Sequence, residues 1–194
     1  MSSKVVLNGA RIAFAAIWEP KQFNGTGEPA CSAAFILDPK TQQSEINKVV
    51  EAIKAVAAEK WGAKASDMLS VLKAKGDLCL QDGATKANYD GFAGNVFISA
   101  RNKSRPVVVD KNKAPLTQAD GKPYSGCYVN ASIEIWAQDN GYGKRINAKL
   151  IAVQFAKDGP AFSGGEGYTD DDFGIMDDGD GDGAQSAVPD NGFF

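Results

Sequence analysis

The sequence predicts a mainly β (α+β) domain carrying one helical insert and followed by an acidic tail without a core of its own. Three observations lead there. Between Val5 and Phe155 most segments alternate apolar and polar residues at period two, the pattern of half-buried strands. One stretch, Ile46 to Trp61, changes to three- and four-residue spacing, which marks an amphipathic helix. From Glu166 onward the chain reads EGYTDDDFGIMDDGDGDGAQSAVPDNGFF, with nine acids and no base. Its Gly, Ala, Ser and Thr spacers offer too little apolar surface to offset ordering the backbone.

The elements follow in order. Val5 to Ala15 is a strand in which Ala10, Ile12 and Phe14 share one face, opposite Arg11, Ala13 and Ala15. EPKQFNGTGEP (19–29) is dense in Pro and Gly and is expected to be a loop. Cys31 to Leu37 is a second strand with Cys31, Ala33, Phe35 and Leu37 on one face. In the helix, Ile46, Val49, Val50, Ile53, Val56, Ala57 and Trp61 make the apolar stripe, and Gly62 stands where it should stop. A shorter helix fits Ser66 to Leu72, before Gly76. Strand patterns return at 78–83, 95–101, 127–137 and 145–155, separated by a long basic loop (102–126) and the turn DNGYGK (139–144).

Charge is distributed unevenly. The chain has 21 Lys and Arg against 24 Asp and Glu, a net of −3; with nine acids in 166–194, residues 1–165 are left with a net of +6. A basic body beside an acidic tail points to a polyanionic ligand for the body. The division expected is therefore a binding domain, 1–165, and a tail, 166–194, for docking a partner. The tail ends on Phe193 and Phe194, two large apolar side chains in a polyanion, and these with Asp170, Asp171 and Asp172 are its candidate partner-binding residues.

Several functions are disfavoured. With no histidine, Ser-His and Cys-His nucleophiles and histidine bases are absent. Cys31, Cys79 and Cys127 form no CxxC pair, so they read as buried thiols rather than disulfides or a zinc knuckle. Asp178, Asp180, Asp182 and Gly183 mimic the first half of an EF-hand loop, but Pro189 stands where the bidentate Glu must be. Carboxylates such as Asp170–Asp172 could serve a metal-dependent nuclease only if a scaffold held them rigidly. No P-loop, signal-peptide core or membrane-length apolar run occurs. The expectation is a cytoplasmic protein that is not an enzyme and has no cofactor or metal.

What the second half does contain is aromatic and basic residues interleaved: Tyr89, Phe92, Phe97, Arg101, Lys103, Arg105, Lys111, Lys113, Lys122, Tyr124, Tyr128, Tyr142, Lys144 and Arg145. Cations track the phosphates of a single strand while flat rings stack on its bases, without requiring a given sequence. The candidate nucleic-acid-binding set is Phe97, Arg101, Lys103, Arg105, Lys111, Lys113, Tyr124, Tyr128, Tyr142, Lys144 and Arg145. Within it, alternation along NVFISAR puts Phe97 and Arg101 on one face, and Val96 and Ile98 on the core face.

The segments EPKQFNG (19–25), DGFAGNVFISARNKSRPVVVDKN (90–112), YSGCYVNASIEIWAQDNGYGK (124–144) and TDDDF (169–173) resemble the OB-fold single-stranded DNA-binding proteins of tailed bacteriophages. The resemblance spans essentially the whole chain. It implies a five-stranded Greek-key barrel with an inserted helical segment, and sequence-tolerant binding of single-stranded DNA in phage replication, recombination and repair. The tail is also similar to the acidic, Phe-terminated tails of bacterial single-stranded DNA-binding proteins, which implies docking of a DNA polymerase or helicase and competition with DNA. Its Gly-diluted GFF ending departs from that pattern and leaves the partner open, as it leaves self-association on DNA. The alternatives are an RNA-binding or chaperone OB domain and a metal-dependent nuclease.

Overall fold

Pairing extends the first strand far beyond its apolar core. In the computed structural model, which describes residues 2–23 and 26–162, β1 spans Ser2–Phe23 and β2 spans Thr26–Leu37. The segment expected as a loop at 19–29 is therefore a two-stranded arm, with Lys21 opposite Ala30 and Phe23 opposite Thr26. Its Pro and Gly residues are accommodated by register shifts along the pair, as edge positions and bulges allow. The tail residues Asp170, Asp171, Asp172, Phe193 and Phe194, and the expected 165/166 boundary, lie outside the described residues.

The helical insert follows β2. Helix α1 (Gln43–Trp61) buries Ile46, Val49, Ala52, Ile53, Val56 and Ala57, five of the seven stripe residues read from the sequence together with Ala52, while Val50 and Trp61 are half-buried against the core. Gly62 ends it, donating its amide to the Ala58 carbonyl. Helix α2 (Ala65–Lys75) ends at Gly76, whose left-handed φ of 73° lets its amide reach the Leu72 and Lys73 carbonyls. The start of α1 is tied to β1: Gln42 Nε2 donates to the Gly9 carbonyl at 3.0 Å, and the Asn8 amide donates to Glu45 Oε2 at 3.0 Å.

The remaining strands are β3 (Leu80–Asp82), β4 (Val96–Asn102), β5 (Val107–Val109), β6 (Tyr128–Asn140) and β7 (Gly143–Lys157). The basic segment 102–126, expected as one loop, thus contains a strand, β5, which joins the sheet through parallel pairing with β7. β1 pairs with β2 on one side and β6 on the other; β2 pairs with β4, and β6 with β7. A parallel contact between Arg101 and Lys149 joins β4 to β7 and closes the ring. These five strands form the closed barrel of an OB fold, with β3 and β5 as short additions to β4 and β7.

The barrel core receives one face of each strand. Leu7, Ile12, Phe35, Leu37, Ile98, Val129, Ile133, Ile135, Leu150 and Val153 are fully buried, and the α1 stripe packs on the same cluster. Cys31, Cys79 and Cys127 are buried free thiols, as their spacing suggested; burial pushes the Cys79 thiol up to about 12. A second, smaller cluster lies outside the barrel core: Ala13, Ala34, Ile36, Phe92 and Phe97, with Phe162 packed against it. None of the helices among the described residues is long and apolar enough to cross a membrane.

Candidate nucleic-acid interface

The second cluster is where strand regularity fails. Ala10 and Ile12 are buried as alternation requires, but Phe14, expected beside them, is 45 % exposed. Register slips between Ala13 and Ala16, and Phe14 takes a φ of 49°. That left-handed backbone is rare for a bulky residue and marks a constraint imposed by the surroundings. The bulge turns the ring outward, where it meets Tyr89 edge-on (centroids 5.1 Å apart, planes at 85°) and Phe92 at 5.6 Å. Phe92 in turn rests on Phe97 at 5.0 Å and 75°. Two exposed rings therefore stand on two buried ones.

Tyr89 and Phe92 belong to the segment between β3 and β4. Gly83 allows that segment to fold tightly: its amide donates to the Asn95 carbonyl at 2.8 Å, and an added Cβ would lie 1.9 Å from the Phe92 oxygen. The same fold places the Lys86 ammonium 5.1 Å from the Phe14 centroid and 5.8 Å from that of Tyr89, within cation–π range.

Beside these rings runs an open cleft of about 1280 Å³. Its lining includes Phe14 of β1, Ser32 and Ala34 of β2, Ser99 and Arg101 of β4, and Lys86 and Tyr89. It continues past Gly76–Cys79 at the end of the helical insert to Trp136, Gln138, Tyr142, Arg145 and Asn147 of the β6–β7 hairpin. Glu28 on the β1–β2 arm and Lys103 after β4 complete it. Four partly or wholly exposed aromatics thus share one concavity: Phe14, Tyr89 (50 %), Trp136 (38 %) and Tyr142 (93 %).

The cations in the cleft are engaged. Arg101 Nη2 donates to the Glu28 carbonyl at 3.2 Å, and the Lys103 ammonium pairs with the Glu28 carboxylate. The hydrogen bond from Lys103, and then its charge, hold the Glu28 carboxyl below the usual range. Arg145 pairs with Asp77 at 3.1 Å.

Of the residues singled out in the sequence, Arg101, Lys103, Tyr142 and Arg145 line this cleft. Phe97 requires a correction: it is 0 % exposed. It does share a strand face with Arg101, but Phe92 and the rest of the second cluster cover that face at its Phe97 end. Its ring supports the platform and is not presented to a ligand. Ile98 is buried in the barrel core and Val96 is half-buried against it, as the alternation indicated.

The other six residues lie elsewhere. Lys144 pairs with Asp139 at 3.6 Å, and Asp139 also accepts a 2.8 Å hydrogen bond from Trp61 Nε1; that bond, first among its causes, holds the Asp139 carboxyl below the usual range. The Arg105 guanidinium lies 5.1 Å over the Trp18 ring. Lys111 is 6.0 Å from the Phe155 ring, and Lys113 is exposed. The Tyr124 hydroxyl lies 3.0 Å from both Asp158 Oδ1 and the Gly159 carbonyl, and Tyr128 is half-buried beneath the Lys157 ammonium at 4.6 Å.

Sequence reasoning left Phe14, Lys86, Tyr89 and Trp136 out of the binding set. Tyr89 stood in the aromatic-basic series, and alternation along 127–137 puts Trp136 on the face opposite Ile133 and Ile135, so both carried a signal. Phe14 was hidden by an alternation that the bulge interrupts.

An OB barrel binds oligomeric ligands across the second and third barrel strands, between the loops that join strands one and two and strands four and five. The cleft occupies those positions here, on β2 and β4 between the β1–β2 arm and the β6–β7 hairpin. The fold and the cleft together define a barrel of the oligonucleotide-binding class. The family described as "Enterobacter phage Enc34, ssDNA-binding protein" matches residues 3–183, and the chain belongs to that family. Protein p50 of Acyrthosiphon pisum secondary endosymbiont phage 1 is 46 % identical over 164 residues, covering 84 % of this chain and 88 % of that protein. The single-stranded DNA-binding protein of bacteriophage Enc34, solved in complex with ssDNA, is similar with a TM-score of 0.71 at 28 % identity, over 82 % of this chain and 89 % of that one. The gp2.5 single-stranded DNA-binding protein of bacteriophage T7 shares the fold, with a TM-score of 0.54 at 13 % identity, over 92 % and 98 % of the two chains.

Proposed function

We propose that this chain is a non-enzymatic, sequence-tolerant single-stranded DNA-binding protein of phage replication, recombination and repair, and that the strand lies in the cleft on β2 and β4. The observation that carries the reading is the gathering of four exposed aromatics and the cations Lys86, Arg101, Lys103 and Arg145 along one concave surface. Rings stack on bases of any identity, and cations follow the phosphates. Phe14 and Tyr89 form the stacking platform, Trp136 and Tyr142 serve the hairpin end, and Phe92 and Phe97 hold the platform from below. The solved ssDNA complex of the Enc34 relative supports the assignment of ligand.

The test is titration of fluorescent oligonucleotides, single- and double-stranded DNA and RNA of equal sequence, at several salt concentrations. Single-stranded DNA is expected to bind best. With about four phosphates neutralised, log K should fall against log[salt] with a slope near −3, at ~0.7 per phosphate. Equal affinity for duplex, or no salt dependence, overturns the reading; a preference for RNA moves it to an RNA chaperone.

The acidic segment 166–194 is assigned two roles: docking a replication partner such as a polymerase or helicase through Phe193 and Phe194, and competing with DNA through its nine carboxylates. A tethered segment acts at an effective concentration in the ~mM range, so weak contacts suffice. A chain ending at residue 165 is expected to bind single strands more tightly than the full chain at low salt, with the gap narrowing as salt rises. A chain ending at 192 should lose partner recruitment but keep most of the competition. Coincident binding curves for all three chains at low salt would exclude competition.

A further inference from the structure

Two of the cleft's cations are each matched to a carboxylate that also lines the cleft. Lys103 pairs with Glu28, and Arg145 with Asp77 at 3.1 Å. Both carboxylates stand on backbone that hydrogen bonds hold in place. Glu28 sits on the β1–β2 arm, and its backbone carbonyl accepts from Arg101 Nη2 at 3.2 Å, so one residue engages both cations of the β4 end. Asp77 is anchored by its backbone: its amide donates to the Leu72 carbonyl at 2.9 Å, and its carbonyl accepts from the Ile146 amide at 3.0 Å. That holds its carboxylate beside Arg145, the residue before Ile146.

These pairs contribute little to folding. The Glu28 and Lys103 side chains are 70 % and 72 % exposed, and exposed ion pairs are weak in water; in the other pair Arg145 is 57 % exposed and Asp77 21 %, so solvent still screens its cation. They matter more for a polyanion. A lysine or arginine whose charge a neighbouring carboxylate cancels does not neutralise a phosphate in full, so it releases fewer counterions when a strand binds. We propose that Glu28 and Asp77 are built-in phosphate substitutes: they occupy Lys103 and Arg145 until a nucleic-acid strand displaces them, and they set how steeply binding depends on salt. The inference rests on the single-strand binding proposed above. It adds that the cleft is electrostatically self-compensated when empty, which lowers non-specific attraction of polyanions and flattens the response to ionic strength.

The experiment measures log K for an oligothymidylate against log[NaCl], for the full chain and for Glu28→Gln, Asp77→Asn and the double variant. Each single substitution is expected to steepen the slope by up to ~0.7, and the double variant by up to ~1.4. The gain is largest at low salt. An added slope of 0.7 over the 1.3 decades from 0.05 M to 1 M corresponds to up to about eightfold tighter binding. Glu51→Gln is the control for net charge alone, because its carboxylate pairs with Lys54 at 2.9 Å on the exposed face of α1, away from the cleft. It should leave the slope unchanged. Adding Lys103→Gln to the Glu28→Gln protein should return the slope to the wild-type value. Slopes unchanged in all cleft variants, or steepened equally by Glu51→Gln, overturn the inference while leaving the proposed function intact. A wild-type protein that shows no preference for single strands removes both.

Discussion

β6 and β1 are neighbours in the same barrel, and they treat their sequences differently. Along β6, buried positions alternate from Val129 to Ile135 even though its pairing with β7 shifts register at Tyr128/Val129 and Ser132/Ile133, because the extra residues there belong to β7, and Trp136 comes out on the solvent side where period two puts it. β1 keeps that discipline through Leu7, then shifts register before Ala10, again after Ala13, and again before Lys21. Both strands give one face to the core, β1 through Leu7, Ile12 and Ile17, but the bulges of β1 redirect the side chains that follow, and the one at Phe14 turns a core-patterned ring into an exposed aromatic of the cleft on a left-handed backbone. Exposed aromatic surface arises here from a broken pattern, at a residue whose left-handed backbone the fold sustains.

Substitutions on the two strands and the cluster between them test that contrast. The largest effect is expected from Phe97→Ala. It removes a fully buried ring and should cost about 3–5 kcal/mol of folding stability. A loss of DNA affinity without a fall in melting temperature would contradict the burial. Ile133→Ala in β6 is also a cavity substitution and should cost about 2–5 kcal/mol, but its ring-free site lies in the barrel core. Chemical denaturation should report the loss, while affinity measured well below the melting temperature stays at the wild-type value. Phe14→Gly should show the reverse. Glycine adopts a φ of 49° freely, so relief of strain offsets the lost ring contacts and melting changes little, whereas affinity falls by ~1–3 kcal/mol if the ring stacks on a base. Unfolding with unchanged affinity would place Phe14 with the core after all.

The smallest expected effect concerns the far end of β6, where Asp139 ties the hairpin to α1 through Trp61. The hydrogen bond from Trp61 depresses the Asp139 carboxyl from its ordinary value of 3.8. A depressed carboxyl stabilises the fold above its unfolded pKa and loses that contribution as pH falls through the folded one. Asp139→Asn should therefore be slightly less stable than wild type at neutral pH, with the difference closing in acid below 3.8. A difference that persists unchanged at pH 2 would show that the charge is not what matters.

Much of the fold was legible. The α1 stripe, the stop at Gly62, the β6 alternation and the strand at 145–155 follow from local periodicity, which burial on one face enforces whatever the partner. The arm at 19–29 and the strand Val107–Val109 were not legible. Their residues have weak strand propensity or sit in a basic loop, and only hydrogen-bonding partners distant in the chain make them strands. The site divides in the same way. Tyr142, Arg101, Lys103 and Arg145 announced themselves by residue type and reach the cleft, while Lys111, Tyr124 and Tyr128, of the same types, lie elsewhere because chain order does not say which loops converge.

What the amino-acid sequence determined by itself was therefore chemical: a basic body, an acidic end, an inventory of rings and cations suited to a single strand, and the faces of its regular elements. The tertiary structure decided which of those groups act together. Closure of β4 on β7 brings the arm, the β3–β4 segment and the β6–β7 hairpin to one concavity, the bulge exposes Phe14, and the cluster beneath it buries Phe97. The physical reason is that period and composition are local properties. Exposure, in contrast, depends on what the rest of the chain lays over a face, and for Phe97 that was Phe92, five residues before it in the chain and packed edge-to-face against it only in the folded protein.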